Sequence, residues 1–324
     1  MKAIVQRRYG KPGEVLEFRD VDRPEPVGDE VLLRVHASSV NPADWFTLVG
    51  RPYVLRPVYG LTRPKHEIPG MDVAGTVEAV GPGVTRFSLG DEVYGELRGG
   101  AYAEYAVAAE GTLARKPANL GFAEAAAVPL AGITALQGIR DAGGVQAGHR
   151  VLVNGASGGV GTFAVQVARS LGAHVTGVCS TRNLDLVRSI GADGVIDYTR
   201  EDFTRGERRY DVIFDLAGSH APAAHRRVLC SDGVYVASTG RPGGSVLGPM
   251  PYILRVVLSS LRGGPRMKVF AAKSNADDLG ALTQLIEDGA VRPVIHRTYA
   301  LSETAAALAH QGEGHAQGKS VVTM

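Results

Sequence analysis

Cysteine is almost missing from this chain, with two residues, Cys179 and Cys230, among 324. Two thiols cannot make a dense disulfide framework, and they cannot supply the four thiolates of a structural zinc lobe. A reducing, cytoplasmic setting is expected. An excess of either charge is missing too: 35 Lys and Arg stand against 33 Asp and Glu, the formal net charge is +2, and the two signs are interspersed. That pattern lacks the basic footprint of a nucleic-acid partner. Long apolar runs are also lacking. The longest, 250–261, is interrupted by Arg255 and falls short of the ~20 residues that span a bilayer, so no membrane partner is expected. The opening MKAIVQRRYG moves straight into a strand-like run, without the apolar segment of a signal peptide. There is no internal repeat and no low-complexity tract. These absences leave a globular chain whose partner is a small molecule.

What is present points to two domains. A chain of 324 residues exceeds the usual ~100–200 of one domain, and its 44% hydrophobic content suffices for a packed core. Glycine is rich, 42 residues against the ~7% of an average protein, which implies many tight turns and close backbone approaches. Up to about residue 121, short β-branched runs alternate with Gly and Pro, an all-β texture; strands are expected at 31–37, 73–80 and 103–107. The segment 51–69 carries four prolines and several basic residues, and reads either as a loop over a cleft or as a solvated connector. Near Phe122 the sequence turns Ala-rich and helical, and from 150 onward strands alternate with helices, the pattern of βαβ units on a parallel sheet. Six strands are expected, at 151–154, 174–178, 195–197, 211–216, 233–237 and 268–272. A helix over 276–288 and a terminal strand at 320–323 follow. The tail is assigned to the first domain, giving 1–122 with 276–324 and an inserted domain over 123–275.

The strongest local signal is the glycine turn Gly155, Ala156, Ser157, Gly158, Gly159, Val160, Gly161, placed between a buried strand and an amphipathic helix. Small residues let backbone N–H groups approach a pyrophosphate, and the helix N-terminus adds a partial positive charge. The fingerprint G-x-G-x-x-G is met with Ala156 in its first place. A carboxylate at the end of the next strand would hold the ribose of NAD, but Ser180, Thr181, Arg182 and Asn183 stand there. A hydroxyl and a guanidinium suit the 2′-phosphate of NADPH instead.

With this turn following a β domain, the chain resembles the medium-chain dehydrogenase/reductase superfamily, in particular its zinc-free quinone oxidoreductase branch. SSVNPAD at 38–44, PGMDVAGTVEAVG at 69–81, GDEVY at 90–94 and ADGVIDY at 192–198 carry the likeness, which spans nearly the whole chain. The resemblance implies an α/β protein with a GroES-like β-barrel catalytic domain and a Rossmann doubly wound parallel sheet. It also implies NADPH as cofactor and a homodimer. It places the pyrophosphate over Ser157 to Val160 and the 2′-phosphate near Ser180, Arg182 and Tyr198, with Lys319 offering a further cation. Thr134, Ala217, Gly240 and Phe270 fall on segments that pass the cofactor in relatives, and Asn41 falls at the nicotinamide end.

Zinc-dependent relatives carry Cys where this chain has Asn41, and a His-Glu pair where it has Met71-Asp72. An amide and a thioether are poor zinc ligands, so no metal is expected. The expected reaction is hydride transfer from NADPH to an activated acceptor such as a quinone or an enone. Tyr53 and Tyr59 on the 51–69 loop are candidate proton donors, Tyr53 preferred. Alternative readings are an enoyl reductase for longer unsaturated carbonyls, a non-catalytic NADPH-binding protein, and a zinc alcohol dehydrogenase. The apolar stretch 248–261 suits either a roomy pocket or a dimer surface.

Overall fold

A computed structural model describes residues 1–238, 244–261, 263–314 and 317–324. The strands run in chain order as β1 (Lys2–Gln6), β2 (Leu16–Asp20), β3 (Glu30–Val40), β4 (Asp72–Val80), β5 (Glu92–Glu96), β6 (Tyr105–Ala109) and β7 (Leu113–Arg115). They continue as β8 (Arg150–Asn154), β9 (His174–Cys179), β10 (Gly194–Asp197), β11 (Tyr210–Asp215), β12 (Leu229–Ala237) and β13 (Arg266–Val269). β14 (Ile295–Ala300) and β15 (Lys319–Thr323) close the chain. Backbone contacts divide it into one unit of 1–133, 274–289 and 293–324, and another of 134–273 and 290–292. The first crossing comes later than the compositional change at 122, because the helix Phe122–Ala126 packs on β3 and β4 and buries Ala125 and Ala126. Residues 290–292 join the second unit. There the Gln166 amide donates to the Arg292 carbonyl and accepts its N–H, both at 3.0 Å.

In the first unit a seven-stranded sheet has the order β14-β15-β3-β4-β5-β7, with β6 also on β3, and β1 pairs β2 separately. Alternate residues of the strands, Val31, Leu33, Val35, Val73, Val77, Val93 and Leu113, close one core. That two-residue period fixes register, since a slip by one would turn each apolar side chain outward. Register sets Ser320 opposite Val40 and Asp72 opposite Ser39, which brings the start of β15, the end of β3 and the start of β4 side by side. The 51–69 segment contains a turn of 3-10 helix, Tyr53–Leu55, and a short helix, Arg56–Tyr59.

The second unit is a six-stranded, wholly parallel sheet ordered β10-β9-β8-β11-β12-β13. This is the doubly wound dinucleotide order, with its switch point beside the first strand, β8. Each of the six expected strands is present. β12 begins four residues before the expected 233. β13 ends at Val269, and the Phe270 N–H then reaches the Ala237 carbonyl at 2.8 Å. Residues of β8, β9 and β11 such as Val151, Leu152, Val175, Ile213 and Phe214 are fully buried, as expected for strands covered on both faces. Among the described residues no helix is long and apolar enough to cross a membrane.

Candidate functional site

β8 ends at Asn154 and the chain turns at Gly155, whose φ of +90° is a left-handed conformation suited to glycine. The Gly155 and Ala156 N–H groups both donate to the Val178 carbonyl, and Gly158 N–H donates to Gly155, so the turn is tied to β9 and to itself. The helix Gly159–Ser170 starts from Gly158 with no side-chain cap and no acidic residue in its first turn. Its first N–H groups have no intrahelical partner, which leaves a positive helix end open to an anion. The glycines differ in purpose. A Cβ on Gly161 would lie 2.1 Å from the Gly155 carbonyl oxygen, whereas one on Gly158 would meet nothing nearer than 3.5 Å. Gly161 is therefore demanded by the turn itself, and Gly158 keeps open space above it.

Beside this turn the ends of β9 and β10 converge. Cys179 pairs with Asp197, so Ser180 and Tyr198 follow at adjacent strand ends, and the Tyr198 N–H donates to the Cys179 carbonyl at 3.1 Å. Arg182 and Tyr198 are exposed. Asn183 is buried, and its amide donates to the Ser157 hydroxyl at 2.9 Å and to the Ser180 hydroxyl at 3.3 Å, linking the glycine turn to the second strand end. Asp197 is occupied locally: Thr181 and Thr199 hydroxyls, the Thr199 N–H and the Arg200 guanidinium all face it. The Thr181 hydroxyl above all holds this carboxyl below its ordinary range.

Sequence reasoning missed the buried centre at the end of β11. The Asp215 carboxylate accepts from the Asn154 amide (2.8 Å), the Ala217 and Gly218 N–H groups (3.1 and 3.0 Å) and the Tyr235 hydroxyl (2.6 Å). Tyr252 also reaches it, at 3.3 Å, and touches the Tyr235 hydroxyl. Burial raises both phenols and keeps the nearby His225 imidazole below its usual range, hence neutral. The signal was an acid closing an apolar strand, YDVIFD, followed by a small-residue loop. Of the remaining expected cofactor residues, Thr134 is buried in the helix Pro129–Leu136, Ala217 is exposed just past β11, and Phe270 is half-buried past β13. Gly240 lies outside the described residues.

The other unit holds Asn41, at the junction of β3 and the helix Pro42–Val49. Its amide nitrogen donates to Asp72 at 2.9 Å, and its amide oxygen accepts from the Lys319 ammonium at 2.5 Å. Lys319 also donates to the Val40 carbonyl and to Asp72, each at 3.3 Å, and is only 3% exposed. Lys319, expected to offer a cation to a cofactor phosphate, here faces three internal acceptors, because β15 pairs with β3 and carries it inward. Asp72 is fully buried and additionally accepts from the Ser39 hydroxyl (2.7 Å) and the Leu130 N–H (3.0 Å). No group of three or more His, Cys, Asp or Glu suited to a metal occurs among the described residues.

Asp44 lies beneath this cluster, accepting the Asn41 N–H at 2.8 Å. Burial pushes its carboxyl up from 3.8 to about 7, opposed by that N–H and assisted by the charge of Asp72. Glu96 is likewise pushed up to about 7 by burial and by Asp72. The folded chain thus retains a proton on Asp44 that the unfolded chain has released. The resulting stability is complete below pH ~4 and is lost as pH rises through ~7. Carboxylates held low, such as Asp197 and Asp211, lose their contribution only in acid and do not offset this window. Urea unfolding is expected to become easier from about pH 5 to about pH 8, by roughly 2 kcal/mol. Asp44→Asn is expected to remove part of that slope, with Glu96 carrying the rest; an unchanged slope assigns it to other groups.

Tyr53 is 41% exposed, and its ring lies under the Arg56 guanidinium (4.6 Å to the centroid) and near that of Arg51 (5.8 Å). Arg56 also lies over Tyr9, whose hydroxyl donates to the Gly60 carbonyl at 2.6 Å, so the loop is tied to the chain end by stacked cations and rings. Tyr59 is half-buried, and burial raises its phenol.

A family model described as an alcohol dehydrogenase GroES-like domain matches residues 28–118, and one described as zinc-binding dehydrogenase matches 190–322. With the parallel sheet and its glycine turn these define a two-domain dehydrogenase, and the chain belongs to the medium-chain dehydrogenase/reductase superfamily. It is 35% identical to the chloroplast envelope quinone oxidoreductase homolog of Arabidopsis thaliana, over 99% of this chain and 98% of the relative. It is also 35% identical to the Arabidopsis NADPH-dependent alkenal/one oxidoreductase, over 99% of this chain and 79% of that one. The solved quinone oxidoreductase from Coxiella burnetii superposes with a TM-score of 0.86 at 30% identity, covering 100% of this chain and 99% of the other.

Proposed function

We propose that this chain is a zinc-free oxidoreductase that uses NADPH to reduce a quinone or an enone. The observation that carries the reading is the uncapped start of the helix Gly159–Ser170, joined through Asn183 to the end of β9, which bears Ser180 and Arg182, beside the end of β10, which bears Tyr198 and whose acid, Asp197, is already occupied. Ser157 to Val160 would receive the pyrophosphate. Ser180, Arg182 and Tyr198 would hold the 2′-phosphate, with Thr134, Ala217 and Phe270 flanking the cofactor and Asn41 at its nicotinamide end. When bound, NADPH supplies the hydride. Tyr53 is the preferred proton donor, with Tyr59 second. The reading without zinc is supported by Asn41 and Asp72 being held by an ammonium group. The relatives named quinone oxidoreductase homolog and NADPH-dependent alkenal/one oxidoreductase support the choice of acceptor. A homodimer is supported by Leu254, Val257, Leu258 and Leu261, exposed around the helix Met250–Ser260, whose inner face buries Tyr252 and Val256. The two free cysteines accord with a reducing compartment.

Calorimetry with NADPH and NADH tests the reading. A preference of at least tenfold for NADPH is expected, and Arg182→Glu is expected to weaken NADPH binding by roughly 10- to 100-fold while leaving NADH little changed. NADPH oxidation with quinones, and with enones of increasing chain length, then identifies the acceptor class. If neither coenzyme associates at millimolar concentration, the proposal fails. Binding without oxidation of any acceptor leaves a non-catalytic NADPH-binding protein.

A further inference from the structure

Lys319 is a buried ammonium whose partners are all internal, and the reaction as described gives it no task. Its place is defined by three adjacent strands: β15 brings Lys319, β3 brings Asn41, and β4 brings Asp72. An ammonium carries three protons and no acceptor, and here three acceptors face it: the Asn41 amide oxygen, the Asp72 carboxylate and the Val40 carbonyl. Asn41 is thereby left with one orientation. Reversing its amide would set NH₂ against the ammonium and the amide oxygen against the carboxylate, two repulsive contacts in place of two charge-assisted hydrogen bonds. Removing a charge from a buried pair is strongly unfavourable, yet an apolar residue of similar volume is often tolerated when both charges are removed. The pairing observed here retains both charges, and the charge of Lys319 is set directly against the Asn41 amide oxygen.

We propose that Lys319 is a positioning residue for the reaction, an internal cation that holds the Asn41 amide and the Asp72 carboxylate in one arrangement at the site. The inference rests on the oxidoreductase reading, since Asn41 is assigned to the nicotinamide end there. The charge acts through Asn41. A cation supplied from outside can therefore replace the lysine, whereas a neutral molecule of the same shape cannot.

The test uses Lys319→Ala and the isosteric, charge-balanced double variant Lys319→Met with Asp72→Asn, assayed as full-length protein with NADPH and the best acceptor of the parent. Lys319→Ala is expected to lose roughly 30-fold or more in kcat, with KM for NADPH within about threefold of the parent, because the binding turn lies elsewhere in the chain. Tens of millimolar n-propylammonium chloride is expected to restore about fivefold or more of the lost kcat, and n-propanol nothing. The double variant is expected to melt near the parent and to stay as impaired as Lys319→Ala. A folded Lys319→Ala that keeps parental kcat, equal rescue by n-propanol, no rescue by the ammonium, or a double variant that turns over normally each overturns the proposal. Should the parent oxidise NADPH with no acceptor, the enzymatic reading has failed instead. The cation site itself is then read by melting: propylammonium, and not propanol, must raise the melting temperature of Lys319→Ala.

Discussion

Gly161→Val is expected to abolish coenzyme binding and to destabilise the nucleotide unit by about 3 kcal/mol or more, the upper range for forcing atoms into a filled space. A Cβ at 161 would stand 2.1 Å from the Gly155 carbonyl oxygen and 2.8 Å from backbone atoms of Ala156. Neither can step aside. Gly155 oxygen accepts the Gly158 N–H, and the Gly155 and Ala156 N–H groups are fastened to Val178, so relief means opening the turn. Gly158→Ala is the informative contrast. Its backbone, φ −80° and ψ 173°, admits any residue, and the nearest atom to an added methyl is 3.5 Å away. Thermal unfolding of Gly158→Ala should match the parent within about 1 kcal/mol, while calorimetry finds NADPH bound at least tenfold more weakly. Binding as tight as the parent's would mean that no ligand approaches the backbone there, and the pyrophosphate assignment would be lost.

Asp215→Leu is expected to destabilise the same unit by about 3–5 kcal/mol in urea unfolding, since it removes the buried acceptor that four donors share. Those donors are the Asn154 amide, the Tyr235 hydroxyl and the N–H groups of Ala217 and Gly218. The loop just past β11 hangs on two of them, so coenzyme affinity should fall with stability. Asp215→Asn keeps one acceptor oxygen and gives Tyr235 an N–H to accept, so a loss of only about 1–2 kcal/mol is expected. If Asp215→Leu unfolds within about 1 kcal/mol of the parent, the carboxylate is not what joins β8, β11 and β12.

The glycine turn was readable because its causes lie within a dozen consecutive residues. A buried strand, a glycine with positive φ, a second glycine packed against the first carbonyl and an amphipathic helix are all local. The six parallel strands were readable for a related reason: each is a short apolar run set off by a helical stretch. Their ends were less so, since β12 and β13 begin and stop where neighbouring strands supply hydrogen-bond partners. Composition changes at Phe122, while backbone contacts change only after that helix has packed on β3 and β4.

From its order of residues alone the chain determined the turn at 155–161 and the alternation that builds a parallel sheet. Only the tertiary structure decided which groups Lys319 and Asp215 pair with. Lys319 follows Asn41 by 278 residues, and its partners are chosen by the register of β15 on β3. Register is set by which alternate side chains the whole sheet can bury, a condition spread over strands far apart in sequence. Asp215 likewise acquires its meaning from Tyr235 and Asn154 on the strands at either side. A charge's function depends on what desolvates and pairs with it, and in this protein those groups are brought together by packing between strands rather than by proximity along the chain.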